Sequence, residues 1–461
     1  MIGKRRVKVT MCIILAVVML VPFLSACNKN SDKQQQVSQN TEDQKGDEQK
    51  KTDITLWTAW SEESGMGDMI KEFTKKYPDI NVKHVKFTNT DDGNVKLDTS
   101  LMSGEEVNVF INFGVKRLVP RAEKGILEPL NNYMENGSYN IEEENGDPGY
   151  KPGGKYYALP VGATSTFVYI NEKYLKDAGL SAPTEDWTID DYIEYAKKMT
   201  KGEGSDKIYG CNSAHNMTMM WDVMASSVIG SNRYFKEDGT SNFDHPTFKT
   251  SLEFYNNILY KDKIAFPYTE YKATKMMNED VFLSGRYAMN IGSNAIVRYV
   301  NNAEEYPEGF KVIFAPAPNV TKEQKDNYVR GVSFFDFLSM NSKRPQEEKD
   351  ASWKLMEWMA TEGNIWLTKV GHIPTWKKIN KDQVIDWMMG EKKQYVDVES
   401  FKKYVLNYDA PSYLDTKFEA YGQIYTIAGE EADKCLVGEQ TVEQAIKNMK
   451  ERADAEIKKI K

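Results

Sequence analysis

The sequence contains few of the residues that form metal sites or disulfide frameworks. Its 461 residues include only 4 cysteines and 4 scattered histidines, and neither a CxxC nor an HExxH motif is present. Beyond the first 27 residues only Cys211 and Cys435 remain, and the sequence leaves open whether they are free thiols or a disulfide. We therefore expect no metal site and no cofactor.

Long hydrophobic runs are also missing. The longest, Met11–Leu24, has 14 residues, whereas a membrane-spanning helix needs about 20. Lys4, Arg5, Arg6 and Lys8 precede it, which is the pattern of a signal peptide with its basic and apolar regions. The sequence thus excludes a multi-span membrane protein and predicts export.

An excess of basic residues is absent as well. Lys and Arg number 60 against 68 Asp and Glu, so the formal net charge is −8. Removal of the basic leader makes the remaining chain more acidic still. A nucleic-acid-binding surface is therefore not expected.

The end of the apolar run, Leu24-Ser25-Ala26-Cys27, resembles a bacterial lipobox. This resemblance predicts a lipoprotein signal peptide over residues 1–26 and a lipid on Cys27. The alternative is an ordinary secretory signal cut near Ala26, with Cys27 incidental. Residues 27–51 then form a tether, because the segment after Cys27 has no aromatic residue and a single aliphatic one, Val37, and cannot bury enough apolar surface to order itself.

The rest of the chain alternates between strand and helix patterns. Asp53–Thr58, Ile80–Phe87 and Val107–Ile111 are short, largely apolar or β-branched runs that indicate strands, and the helical spacing of Met66, Ile70, Phe73 and Tyr77 lies between the first two. This alternation predicts an α/β architecture with parallel strands.

Blocks of sequence spread over most of the chain resemble those of the bacterial extracellular solute-binding proteins of family 1, the sugar-binding lipoproteins of ABC importers. Each block is weak alone, but their order and spacing together are specific. The blocks are Ile54–Trp60, Phe73–Pro78, Leu118–Leu130, Gly154–Pro160, Tyr169–Leu180, Phe282–Met289 and Gly371–Thr375.

The resemblance implies an α/β fold of two lobes, like that of periplasmic binding proteins, with a hinge and a ligand cleft between the lobes. Lobe one would comprise residues 52–162 and 312–360, and lobe two residues 163–311 and 361–461. It further implies a carbohydrate ligand, ABC transporter permease subunits as partners, a monomer, and a location on the outer face of the cell membrane through the lipid anchor.

Two positions depart from the pattern of the family. Val107-Asn108 stands where relatives usually have Pro-Asp, and Ser293-Asn294 stands where many relatives carry an aromatic residue after Gly292. The second departure places one expected sugar-stacking position in doubt. Ser293 and Asn294 nevertheless belong to the predicted binding residues because they occupy that position.

A sugar presents apolar C–H faces to aromatic rings and a rim of hydroxyl groups to carboxylates, amides and guanidinium groups. Near the end of the first strand, Trp57, Trp60 and Glu62 are candidates for such contacts. The competing interpretation places the two tryptophans in the core and Glu62 in a solvated loop.

Five further side chains are candidate ligand contacts, each with a structural alternative. Asn112 ends a strand and is otherwise a turn residue, while Trp221 and Asp222 form either a cleft wall or part of a core stripe. Arg330 lies in the cleft or in a surface ion pair. Trp376 follows the Gly371–Thr375 block.

Two other functions compete with a binding protein that serves an importer. A binding protein that reports its ligand to a membrane receptor would use the same closure, so the sequence does not separate transport from sensing. A secreted glycosidase would need a pair of carboxylates, which 68 acidic residues supply by chance. No nucleophile elbow or phosphate loop is present, so we expect a protein that is not an enzyme.

Overall fold

A computed structural model of the chain describes residues 51–213, 220–274, 278–300 and 310–460. The predicted signal peptide, the lipidation site Cys27 and nearly all of the tether lie outside the described residues.

The larger of two β-sheets has six strands in the order β10-β4-β9-β3-β1-β2. Strand β1 pairs in parallel with β2 and β3, as the strand and helix alternation predicts, whereas β9 is antiparallel to β3 and β4. Every residue of β3 is buried, because helices cover both faces of the sheet. The strands of this sheet are β1 Thr52–Thr58, β2 Ile80–Lys86, β3 Val109–Phe113, β4 Leu159–Thr164, β9 Ser333–Met340 and β10 Ile373–Pro374.

The smaller sheet has four strands in the order β6-β7-β5-β8. Central strand β5 is antiparallel to both neighbours, β7 and β8, and β6 runs parallel to β7. The strands are β5 Thr166–Asn171, β6 Tyr209–Cys211, β7 Tyr287–Ser293 and β8 Val312–Pro316.

The chain changes sheets at positions that differ from three predicted boundaries. The first change occurs at Ser165, between β4 and β5, rather than between residues 162 and 163. Strand β8, predicted for lobe one, pairs with β5 of the smaller sheet, and β10, predicted for lobe two, pairs with β4 of the larger sheet. The resemblance in sequence carries no information on strand pairing. The boundaries predicted from it therefore assign β8 and β10 to the other lobe.

Helices cover the sheets and end where the sequence supplies caps. Thr188 and Asp191 form a capping box at the start of α7. The described α-helices are α1 Met66–Lys76, α2 Asp91–Ser103, α3 Val115–Glu123, α4 Asn131–Gly137, α5 Ile141–Glu144, α6 Glu172–Asp177, α7 Ile189–Met199, α8 Val223–Ile229, α9 Pro246–Asn256, α10 Tyr268–Thr274, α11 Asn278–Leu283, α12 Ile296–Tyr299, α13 Gln346–Ala360, α14 Lys381–Met389, α15 Val398–Tyr404, α16 Tyr421–Leu436 and α17 Val442–Ile460.

Helix packing joins the two halves of the fold outside the strands. Helix α13 packs on β1, β4 and β9 of the larger sheet, and α7 packs on β6 and β7 of the smaller one. Helix α16 packs against α17 and also against α3, which follows β3 of the larger sheet. Cys211 and Cys435 are both buried free thiols, and burial raises the pKa of Cys435 to about 11.

Candidate functional site

A cleft of about 760 Å³ lies between the two sheets. Its walls come from strand ends and the segments next to them, which is where α/β sheets present side chains to ligands. The larger sheet contributes residues after β3, at the end of β4, at the start of β9 and before β10. The smaller sheet contributes residues after β7, and a third wall comes from Arg233, residues 412–415, Tyr421 and Tyr425.

Aromatic side chains cover much of this lining. Phe113 of β3 and Phe335 of the neighbouring strand β9 have ring centroids 6.2 Å apart. In the third wall the Tyr421 and Tyr425 rings are stacked with centroids 6.2 Å apart. The aromatic residues of the lining are Phe113, Phe334, Phe335, Phe337, Tyr413, Tyr421 and Tyr425. Such rings can cover the apolar face of a ligand.

A charged cluster centred on Arg233 forms part of the third wall. Nε of Arg233 donates to Oδ2 of Asp222 at 2.7 Å, and the Tyr234 hydroxyl donates to the same oxygen at 2.7 Å. Burial opposes the charge of Arg233, but Asp222, Tyr234 and Asp415 outweigh it and raise its pKa well above the ordinary value. The guanidinium therefore stays charged inside the wall.

Lys116 and Arg117, at the start of α3, line the cleft from the side of the larger sheet. The Lys116 ammonium lies 5.1 Å from the centre of the Tyr425 ring, and burial lowers the pKa of this lysine. Arg117 forms an ion pair with Asp91. Because Tyr425 belongs to α16, the contact of Lys116 with Tyr425 links α3 to the third wall.

The structure places the predicted residues Ser293 and Asn294 in the cleft lining. Asn294 accepts a hydrogen bond from the Thr164 hydroxyl at 2.7 Å and donates to the Gly371 carbonyl at 2.7 Å. This chain of bonds joins the end of β7 to β4 and to the segment before β10. Both atoms of the Asn294 amide are used in this way, and direct contact of Ser293 and Asn294 with a ligand stays a prediction.

Trp60 lies behind the cleft and outside its lining. Its ring is 5% exposed, and its Nε1 donates to Nε2 of His372 at 3.2 Å. His372 lines the cleft, and its Nδ1 contacts the fully buried carboxylate of Asp336. An imidazole whose Nε2 accepts from Trp60 carries its proton on Nδ1, facing Asp336. Trp60 thus supports a wall residue, and the core interpretation holds for it.

Three other predicted residues are enclosed by the fold and lie outside the cleft lining. Asn112 is fully buried in the larger sheet, where its amide donates to the Phe337 carbonyl and the Ser339 hydroxyl and accepts from Arg121. Trp221 is 1% exposed and packs against Phe243 and Phe248.

Asp222 is 2% exposed and faces Arg233 rather than the cleft. It therefore lies behind the wall, and its direct contact with a ligand stays a prediction.

The remaining predicted residues do not belong to the cleft lining. Trp57 is half-buried and donates to the Thr55 hydroxyl, and Glu62 is exposed and lies 3.7 Å from Nδ1 of His84. Arg330 donates to the backbone carbonyls of Ala317 and Glu185, and burial lowers its pKa. Trp376 donates to Glu144 at 2.8 Å. The structure does not bring these four side chains together.

Sequence reasoning missed the third wall. Arg233, Tyr413, Asp415, Tyr421 and Tyr425 all line the cleft, and none was predicted. The only available signal was the tyrosine content of residues 404–425, because no motif or strand end marks this segment. Among the described residues no group of three or more His, Cys, Asp or Glu side chains is arranged to hold a metal ion.

Two α/β lobes with an aromatic and charged cleft between them define the class of bacterial binding proteins that enclose a small solute. The profile of the bacterial extracellular solute-binding protein family matches residues 59–365, about two thirds of the chain. The chain belongs to this family. Family and fold are those of extracellular binding proteins, and no helix within the described ranges is long and apolar enough to cross a membrane.

Individual relatives are distant but cover most of the chain. A Brucella abortus (strain 2308) protein that carries the name of a binding protein is 24% identical, over 79% of this chain and 83% of its own length. The maltotriose-binding protein of Pyrococcus abyssi is 23% identical, over 69% of this chain and 64% of its own. An ABC substrate-binding protein of Listeria monocytogenes, solved in complex with cycloalternan, superimposes with a TM-score of 0.68 at 22% identity, over 88% of this chain and 98% of that one.

Proposed function

We propose that this protein captures a carbohydrate in the cleft and delivers it to the permease of an ABC transporter. The observation that carries the proposal is the aromatic cleft between two lobes with a buried arginine and a carboxylate in its wall. Rings suit the apolar face of a sugar, and charged groups suit its hydroxyls. The names of the maltotriose-binding relative and of the cycloalternan complex support the same ligand class.

The cleft offers stacking surfaces in two of its walls. Phe335 belongs to the larger sheet, while Tyr413 and Tyr425 belong to the third wall. A ligand held between them would bind more tightly when the walls approach. Binding would then favour the closed arrangement of the lobes by its differential affinity.

A thermal-shift screen tests the ligand class, because a ligand that binds only the native state raises the melting temperature. The panel contains maltotriose, arabinotriose and cycloalternan, with tripeptides as a different class of solute. We expect at least one sugar to raise the melting temperature and calorimetry to give a dissociation constant. The recovered sugar should be intact, since cleavage would indicate a glycosidase.

Variants then locate the binding site. Tyr425→Ala should weaken binding of the sugar found in the screen by roughly 10-fold or more, because a stacking surface and its buried area are lost. Tyr260→Ala is the matched control, since Tyr260 is 46% exposed and lies outside the cleft lining. A tripeptide that binds while every sugar fails would overturn the proposal.

The proposal includes the lipid anchor on Cys27, which supports delivery by keeping the protein near its permease. Cys27→Ser should release a folded protein into the medium or periplasm. A variant that still sediments with membranes at high salt would overturn lipidation at Cys27 and leave the sugar-binding proposal untouched.

A further inference from the structure

Arg233 is held in one orientation before any ligand arrives. Asp222 accepts from its Nε at 2.7 Å, and its guanidinium carbon lies 4.5 Å from the ring centre of Tyr234 and 5.2 Å from that of Tyr413. The guanidinium is thus enclosed between two rings and fixed by one carboxylate. Only 5% of Arg233 is exposed, yet the residue forms part of the cleft lining.

One arm of this guanidinium has no hydrogen-bond acceptor among the residues that the structure describes. Nη1 of Arg233 is buried, and no residue in the described part of the chain accepts a hydrogen bond from it. Oδ2 of Asp415 lies 3.6 Å from Nη1, beyond hydrogen-bond distance. Leaving a buried N–H group without an acceptor costs free energy. A ligand group that accepts a hydrogen bond from Nη1 would therefore be bound more tightly.

Asp415 is available as the second half of the pair. It also lines the cleft, and its Oδ1 accepts from the backbone N–H of Asn232 at 2.6 Å. Within the described ranges its Oδ2 accepts one hydrogen bond, a long one of 3.4 Å from the Tyr421 hydroxyl. The cleft therefore presents a donor and an acceptor 3.6 Å apart.

A hydroxyl group fits this arrangement, because its oxygen can accept from Nη1 while its proton is donated to Oδ2. A carboxylate does not fit, because it has no proton to donate. It would also meet two carboxylates, Asp222 and Asp415, that already exceed the charge of Arg233.

We propose that Arg233 and Asp415 form a specificity-determining subsite that binds a hydroxyl of a neutral sugar and discriminates against acidic sugars. Asp222 acts as the positioning residue that orients Arg233. This inference rests on the proposed carbohydrate function and deepens it, since it names the charge class of the sugar.

The test compares neutral and acidic oligosaccharides on the mature protein. Maltotriose, arabinotriose, cycloalternan and trigalacturonate are titrated by calorimetry into the wild type and Asp415→Asn. We expect the wild type to prefer a neutral sugar. Asp415→Asn should bind that sugar roughly 10- to 100-fold more weakly, because a hydrogen bond to a charged group is lost. The same variant should discriminate less against trigalacturonate.

Asp244→Asn is the matched control. It makes the same change of charge on the outer surface, where Asp244 pairs with Lys236, and should leave all affinities unchanged. If Asp415→Asn does not fold, Asp415→Glu keeps the carboxylate but displaces it, and should also weaken neutral binding.

The outcomes separate this inference from the proposed function. If no sugar binds the wild type, the carbohydrate function fails and the inference with it. If a neutral sugar binds but Asp415→Asn leaves its affinity unchanged, or if trigalacturonate binds the wild type more tightly than every neutral sugar, the subsite is wrong while the carbohydrate function stands.

Discussion

Single side chains behind the cleft wall decide whether the wall keeps its shape. Trp60 contacts Phe113 edge-on at 5.9 Å and His372 at 5.1 Å, and both of these residues line the cleft. Its Nε1 also provides the hydrogen bond to His372. The indole thus supports two wall residues without being exposed itself.

Trp60→Ala should destabilise the free protein by about 3–5 kcal/mol, because it leaves a cavity in place of a buried indole. Urea unfolding of the protein without ligand measures this loss. Trp60→Phe retains most of the packing. It should lower the free energy of unfolding by about 1 kcal/mol, because the hydrogen bond to His372 is lost. Unchanged stability of Trp60→Ala together with a large loss of sugar affinity would return Trp60 to the ligand site.

At the scale of elements, Glu431 fixes the junction between α16 and α17. Its carboxylate is almost fully buried and accepts from Lys434, Gln440, Asn448 and Arg452. Burial alone would raise the pKa of this carboxyl, but the four donors outweigh it and lower the pKa to about 2. Helix α16 carries Tyr421 and Tyr425, so the junction also positions the third wall.

The contribution of Glu431 to stability should depend on pH in a defined direction. Because its folded pKa of about 2 lies below the ordinary 4.5, the contribution is complete above pH 4.5 and is lost as the pH falls towards 2. The difference in unfolding free energy between the wild type and Glu431→Gln should therefore be on the order of 3 kcal/mol near pH 6. It should shrink steadily below pH 4.5 in urea titrations.

Glu430→Gln is the control for this element. Glu430 pairs with the same Arg452 but is half exposed, so its loss should change stability by less than about 1 kcal/mol. A pH-independent difference for Glu431→Gln would contradict the assigned role of its charge.

For the whole molecule, the connections between the two sheets determine how the cleft can move. The chain crosses at Ser165 and again between β8 and β9. Asn294, directly after β7, hydrogen-bonds to Thr164 of β4 and to Gly371 before β10, and Lys116 of α3 contacts Tyr425 of α16. Such connections act as a hinge when the change in backbone dihedral angles is confined to a few residues.

Saturation with the sugar found in the screen should reduce the radius of gyration measured by small-angle scattering, because bound ligand favours the closed arrangement. The Tyr425→Ala protein at the same sugar concentration is the control and should contract less. An unchanged scattering profile of the wild type at saturation would contradict closure of the cleft.

Much of the architecture could be predicted because local patterns specify it. The apolar run that forms β3, the spacing that forms α1 and the capping box of α7 depend on residues close together in the chain. The family blocks supplied the two-lobed fold. The assignments of β8 and β10 were wrong because strand pairing is decided by contacts between distant segments.

The binding site was much harder to predict. The sequence predicted tryptophans near β1 as ligand contacts, because strand ends commonly face ligands. In the structure Trp60 is instead buried and donates a hydrogen bond to His372. Asn112 and Trp221 are likewise buried in the interior of the fold. Only Ser293 and Asn294 among the ten candidates lie in the lining.

The sequence by itself determined the fold class, the family and the expectation of export, because these depend on local spacing and on ordered blocks along the chain. Only the tertiary structure decided which side chains face the cleft. Arg233 and Asp415 are 182 residues apart in sequence, and their separation of 3.6 Å exists only because the segment after α8 and the segment before α16 fold against one another. Burial and relative orientation are properties of the packed chain, and no local pattern contains them.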